Sequence, residues 1–89
     1  MPNDDTPAGG EDMGRLLQTL RHARGLTQAE LVDKLGGPVV GVTQPVISRI
    51  EAGQVHPFAG QLELLLRALE ATEHDARNVR ALCARAYLR

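Results

Sequence analysis

Six residues punctuate this chain more firmly than any others: Gly25 and Leu26, followed at once by Thr27-Gln28-Ala29-Glu30. A glycine readily takes the left-handed conformation that closes a helix. Thr-x-x-Glu is a capping box, in which the threonine hydroxyl and the glutamate carboxylate each satisfy an amide that a new helix leaves unpartnered. One helix therefore ends and another begins within this stretch. Upstream, Met13, Leu16, Leu17, Leu20 and Ala23 recur at spacings of three and four, which predicts one inward face of a first helix. Downstream, Leu31, Val32 and Leu35 face inward on a second helix that ends at Gly36-Gly37-Pro38.

The same grammar continues. Residues 36–42 form a loop by their Gly and Pro content. Thr43 stands where it can cap a third helix, 44–52, and Pro45 falls in its first turn, where no intrahelical donor is lost. Val46, Ile47 and Ile50 point to the core, and Gly53 closes the helix. A fourth helix, about 60–70, is apolar through Leu62, Leu65, Leu66 and Leu69. Thr72 and Asp75 open a fifth, with Ala76, Val79, Leu82, Cys83, Ala86 and Tyr87 along one face. Apart from Val39–Val42 nothing alternates like a strand, so the expected fold class is all-α, with five helices and no internal repeat.

Charge divides the chain. Ten Lys and Arg against eleven Asp and Glu give -1 overall. Residues 1–12 hold Asp4, Asp5, Glu11 and Asp12 and no base, whereas 13–89 hold all ten bases and the other seven acids, a charge of +3. The first segment is too polar and too rich in Pro and Gly to offset the entropy of ordering, so 1–12 is expected to be a disordered acidic arm. The mildly basic remainder weakens the objection that near-neutrality raises against a nucleic-acid partner. Two aromatics, Phe58 and Tyr87, are too few for a platform that stacks single-stranded bases. The lone Cys83 excludes an internal disulfide and a multi-cysteine metal site, and fits a cytoplasmic setting. No apolar run approaches a membrane span.

The third helix carries the chemistry. Its outward residues are Gln44, Pro45, Ser48 and Arg49. Gln pairs bidentately with adenine, Arg with guanine, and an apolar Pro suits a thymine methyl. Arg24-Gly25-Leu26-Thr27-Gln28-Ala29-Glu30-Leu31, followed by Val42-Thr43-Gln44-Pro45-Val46-Ile47-Ser48-Arg49-Ile50-Glu51-Ala52-Gly53, resembles the lambda-repressor-like, Cro-type (XRE) helix-turn-helix over residues 13–70. Within that family the chain is most similar to actinobacterial transcriptional regulators in which such a domain heads a longer chain.

The resemblance implies a five-helix DNA-binding domain whose partner is double-stranded DNA. It places Gln44, Pro45, Ser48 and Arg49 at base edges, and Thr27, Gln28 and Thr43 at phosphates, with Arg24 a further phosphate candidate. It also implies a buried structural ion pair between Arg21 and Glu51. The chain departs from the family pattern in a lengthened turn between the second and third helices, Gly36–Val42, where Val39 and Val40 are candidates to pack inward. Ala52, Gln54 and Val55 stand where family members often carry cations around Gly53, so modest affinity per monomer is expected, with His56 a partial substitute when protonated.

Plainer readings stand beside these. Thr27 and Thr43 are helix caps in any case. His22, His56 and His74 fall on different elements and predict no metal site, and Cys83 reads as a small core residue. Arg15, Arg77, Arg80, Arg85 and Arg89 read as solvated faces. No catalytic residue, cofactor or small-molecule ligand is expected. The fifth helix, 71–89, has three readings: it completes the core, it forms a homodimer contact, or it leads to a further domain. A protein-interaction module of antitoxin or adaptor type is the alternative function, with the acidic arm or the fifth helix as its docking surface.

Overall fold

The computed structural model describes residues 10–36 and 41–87, which form five α-helices: α1 (Gly10–Ala23), α2 (Gln28–Leu35), α3 (Gln44–Glu51), α4 (Ala59–Ala68) and α5 (Glu73–Tyr87). No strand occurs among the described residues. Residues 1–9 of the expected arm and residues 37–40 of the loop, with Val39 and Val40, lie outside them.

The helix stops fold as their residues demand. Gly25 has φ 67, and the amide of Leu26 donates to Arg21 O at 3.1 Å, closing α1. At the start of α2, Thr27 Oγ1 accepts from Glu30 N at 3.0 Å while Glu30 Oε1 accepts from Thr27 N at 2.8 Å, so both halves of the capping box form. Gly36 (φ 98) and Gly53 (φ 79) end α2 and α3. The end of α4 is less comfortable. Its left-handed position belongs to Glu70, a non-glycine residue at φ 53, whose backbone still completes the terminal turn.

Three expectations are corrected. α1 begins at Gly10, so residues 10–12 are helical and not part of the arm. Acidic Asp12 occupies a first turn, where the helix dipole favours negative charge. Ala23 is exposed. The buried stripe of α1 runs through Met13, Gly14, Leu17 and Arg21, and Ala23 lies about 200° further round the helix than Arg21. Thr43 occupies the N-cap position of α3 with extended backbone, but its hydroxyl makes no capping bond. Pro45, two residues on, has no N–H to offer it.

The core joins all five helices. Met13 and Leu17 of α1, Leu31 and Leu35 of α2, Ile47 and Ile50 of α3, Leu62, Leu65 and Leu66 of α4, and Ala76, Val79 and Cys83 of α5 form one buried cluster. Val42, in the loop before α3, is fully buried with them, which loop composition alone does not predict. Burial pushes the Cys83 thiol above its ordinary pKa, as expected for a packed side chain rather than a nucleophile.

α1 packs against both α3 and α5. Its approach to α3 depends on Gly14, because a Cβ there would fall 2.5 Å from Glu51 O and closer still to Ile50 O. Over its described side chains α5 folds back and completes the core, while Ala86 and Tyr87 of its expected stripe lie outside those side chains.

Candidate nucleic-acid interface

α3 is eight residues long and divides cleanly. Ile47 and Ile50 are buried, Val46 is half-buried, and Gln44, Pro45, Ser48 and Arg49 are exposed on the other side. The side chains of Ser48 and Arg49 have no hydrogen-bond or ion-pair partner among the described residues. Three surface cations, by contrast, pair with carboxylates: Lys34 with Glu70 at 3.4 Å, Arg77 with Glu73 at 3.6 Å, and Arg80 with Glu63 at 2.8 Å. Arg77 and Arg80, read from the sequence as solvated, are thus paired on the surface. Bidentate hydrogen bonding to Arg80 holds the Glu63 carboxyl below its ordinary pKa.

Beneath α3 lies a buried charge pair. Arg21 donates through Nε to Glu51 Oε2 at 2.6 Å and through Nη2 to Glu51 Oε1 at 2.9 Å, and its Nη1 donates to Leu26 O at 2.8 Å. The two side chains are 8% and 6% exposed, so the pair is screened little by solvent. Hydrogen bonding to Glu51 raises the Arg21 pKa above its ordinary value, against the opposing effect of burial. A fork of this kind fixes orientation as well as proximity. It ties the end of α3 to the end of α1 and to the chain entering α2.

From that pair a chain of side chains leads outward. Gln28 Nε2 donates to Glu51 Oε1 at 3.1 Å, and Gln28 Oε1 accepts from Gln44 Nε2 at 2.9 Å. Gln28 is half-buried and Gln44 exposed, so the amide ladder joins the interior to the outer surface of α3. Both ends of the Gln28 amide are engaged, one by Glu51 and one by Gln44, and its nitrogen keeps a second N–H. Thr27 is exposed beside it, and its hydroxyl, which accepts from Glu30 N, retains an O–H to donate. Thr43 is half-buried, its hydroxyl uncommitted to a cap.

Arg24 does not join this group. Its Nε donates to Leu69 O at 2.9 Å and its Nη2 to Glu70 O at 2.7 Å, so it satisfies carbonyls at the end of α4. The structure gives Arg24 a capping role there. The guanidinium finds there the negative end of a helix, together with a left-handed turn whose carbonyls need donors.

Gly14 is the positioning residue that sequence reasoning missed. The available signal was a glycine on the inward stripe of an otherwise good amphipathic helix, one residue after Met13 and three before Leu17. At that place the missing side chain is what lets two backbones approach.

A family model described as a helix-turn-helix domain matches residues 12–79, most of the chain. The chain belongs to the helix-turn-helix family. The Cro-like resemblance is consistent with that membership. Among curated proteins and among solved structures, none matches the chain. α2 and α3 pack against each other, and membership suggests DNA as the partner. No helix among the described residues is long and apolar enough to cross a membrane.

Proposed function

We propose that this helix-turn-helix domain reads double-stranded DNA in a sequence-specific manner, as part of a cytoplasmic transcriptional regulator, with α3 in the major groove. One observation carries the reading. α3 holds its apolar side in the core and presents outward a short side chain, a proline, an amide and a guanidinium with no partner among the described residues, the chemistry that matches base edges. In this reading Arg49 takes a guanine, Gln44 an adenine, Pro45 a thymine methyl, and Ser48 either a base edge or a nearby phosphate. Thr27 and Thr43 supply hydroxyls to the backbone, and the amino end of α2 favours a phosphate. A homodimer would set two copies of α3 one turn of DNA apart. Ala76, Val79 and Cys83 of α5 are buried in the core, which removes them as a docking stripe for the protein-interaction alternative.

Selection of bound sites from random duplex DNA tests the reading. A defined motif whose affinity falls steeply with salt is expected, and half-site spacing reports stoichiometry. Arg49→Ala is expected to relax one base pair, at a cost of ~1–3 kcal/mol in discrimination. Recovery of no motif from random DNA would refute the reading.

A further inference from the structure

We propose that the groove between α2 and α4 docks an acidic segment of a partner protein, which seats one apolar side chain on the groove's floor and sets carboxylates against Lys34 and Arg67. The proposal stands apart from the DNA reading. The groove opens where the last turn of α2 meets one strip of α4. Lys34 and Leu35 line it from one side, and Leu64, Arg67 and Ala68 from the other. The three α4 residues follow the helical spacing of three and four, so they share a face. The volume is 260 Å³. That falls below the ~300–1,000 Å³ of sites that enclose a small molecule, and suits a single large side chain presented by a peptide.

Two features point to an acidic occupant with an apolar anchor. The floor is apolar beyond the needs of the core. α4 fills the core with Leu62, Leu65, Leu66 and Leu69, while Leu64 and Ala68 are left half-buried. The rim is cationic and only loosely satisfied. Lys34 touches Glu70 at 3.4 Å with both side chains exposed, a contact that water weakens and that another carboxylate replaces at little cost. Arg67 has no hydrogen bond or ion pair among the described residues. Glu63, one turn before it, feels its charge, but Arg80 takes both oxygens of that carboxylate. Cations flanking an apolar floor select a ligand of complementary charge. The groove also lies clear of α3. α2 packs against α3 and against α4; Gln28 at its start meets Gln44 of α3, whereas its last turn forms the groove. Docking there is compatible with contacts made through α3.

Selection of short peptides from a random displayed library, on the whole chain without DNA, tests the proposal. Enriched peptides are expected to carry one large apolar residue flanked by Asp or Glu. Fluorescence anisotropy of a labelled enriched peptide then measures affinity. The double variant Lys34→Glu/Arg67→Glu is expected to bind it roughly tenfold or more weakly. Leu64→Ser, assayed where its circular dichroism is native, is expected to weaken it as well. Arg77→Glu, which reverses an exposed cation on α5, is expected to leave binding unchanged. Recovery of no peptide, enrichment of peptides without carboxylates, full binding by the double variant, or an equal loss in Arg77→Glu would each overturn the proposal. Binding that appears only after removal of residues 1–9 would overturn it too, giving the groove to the chain's own acidic segment. So would self-association of the parent that the double variant abolishes, which would give it to a second copy.

Discussion

Replacing Gly14 by alanine puts a number on the approach of α1 to α3. An ideal Cβ at residue 14 lies 2.5 Å from Glu51 O, 2.8 Å from Glu51 C and within contact distance of Ile50 O. A carbon resting against a carbonyl oxygen ordinarily sits at about 3.3–3.6 Å, so the two backbones must part by about 1 Å. Carbonyls at the end of a helix cannot swing aside as a flexible side chain does. Overpacking of this kind costs ~1–3 kcal/mol, against which alanine's better helix propensity returns up to about 1 kcal/mol. Gly60 supplies the control, since it is also helical and a Cβ there meets nothing within 4 Å. Gly60→Ala is expected to be neutral or mildly stabilising, and Gly14→Ala less stable than it by ~1–3 kcal/mol. Urea titration of both variants measures that difference. Equal midpoints and slopes would refute the argument that the α1–α3 contact requires a missing side chain. Because Glu51 rides on the displaced turn, Gly14→Ala is also expected to weaken the amide ladder without changing any residue in it.

Arg21→Ala or Glu51→Ala leaves the other charge buried and alone, and is expected to cost ~3–5 kcal/mol in chemical denaturation; losses no larger than those of an exposed pair would place the pair in solvent. Glu70→Gly relieves the left-handed strain at φ 53 and is expected to stabilise by about 0.5–1 kcal/mol, visible as a higher urea midpoint; a lower midpoint would mean that the exposed contact with Lys34 outweighs the strain. Cys83 has a raised pKa in the folded state, so the unfolded chain gives up its proton first. Its contribution to stability is therefore level below the ordinary thiol value of 9.0 and declines as pH rises above it. Cys83→Ala is expected to flatten that alkaline decline, and an unaltered slope would exclude the thiol as its source.

What was legible in the sequence was what local chemistry decides. Gly25, Gly36 and Gly53 all stand at positive φ, and the Thr27–Glu30 box closes in both directions, because each needs only residues within one or two turns. The leucines of α4 and the isoleucines of α3 followed from periodicity. Other features depend on segments that meet only after folding. Arg24 looked like an available cation, yet the end of α4, 45 residues away, takes its donors. Gln28 gives no sign in the sequence of its bond to Glu51, 23 residues on. Val42 was hidden inside a Gly- and Pro-rich loop, where composition reports the turn but not that this side chain is buried. Ala23 was misplaced for a related reason: a buried arginine sits on the true inward stripe, and apolar counting passes over it.

The brevity of α3 has a thermodynamic consequence. Eight residues make a rod of about 12 Å, well under the length at which a helix persists alone in water. Cut from its neighbours, the segment would be coil, and its amide and guanidinium would point nowhere in particular. Recognition by this chain is thus no property of a peptide. It is held by a lattice of contacts elsewhere and vanishes in step with them, so heating should abolish site discrimination and the folded population along a single curve.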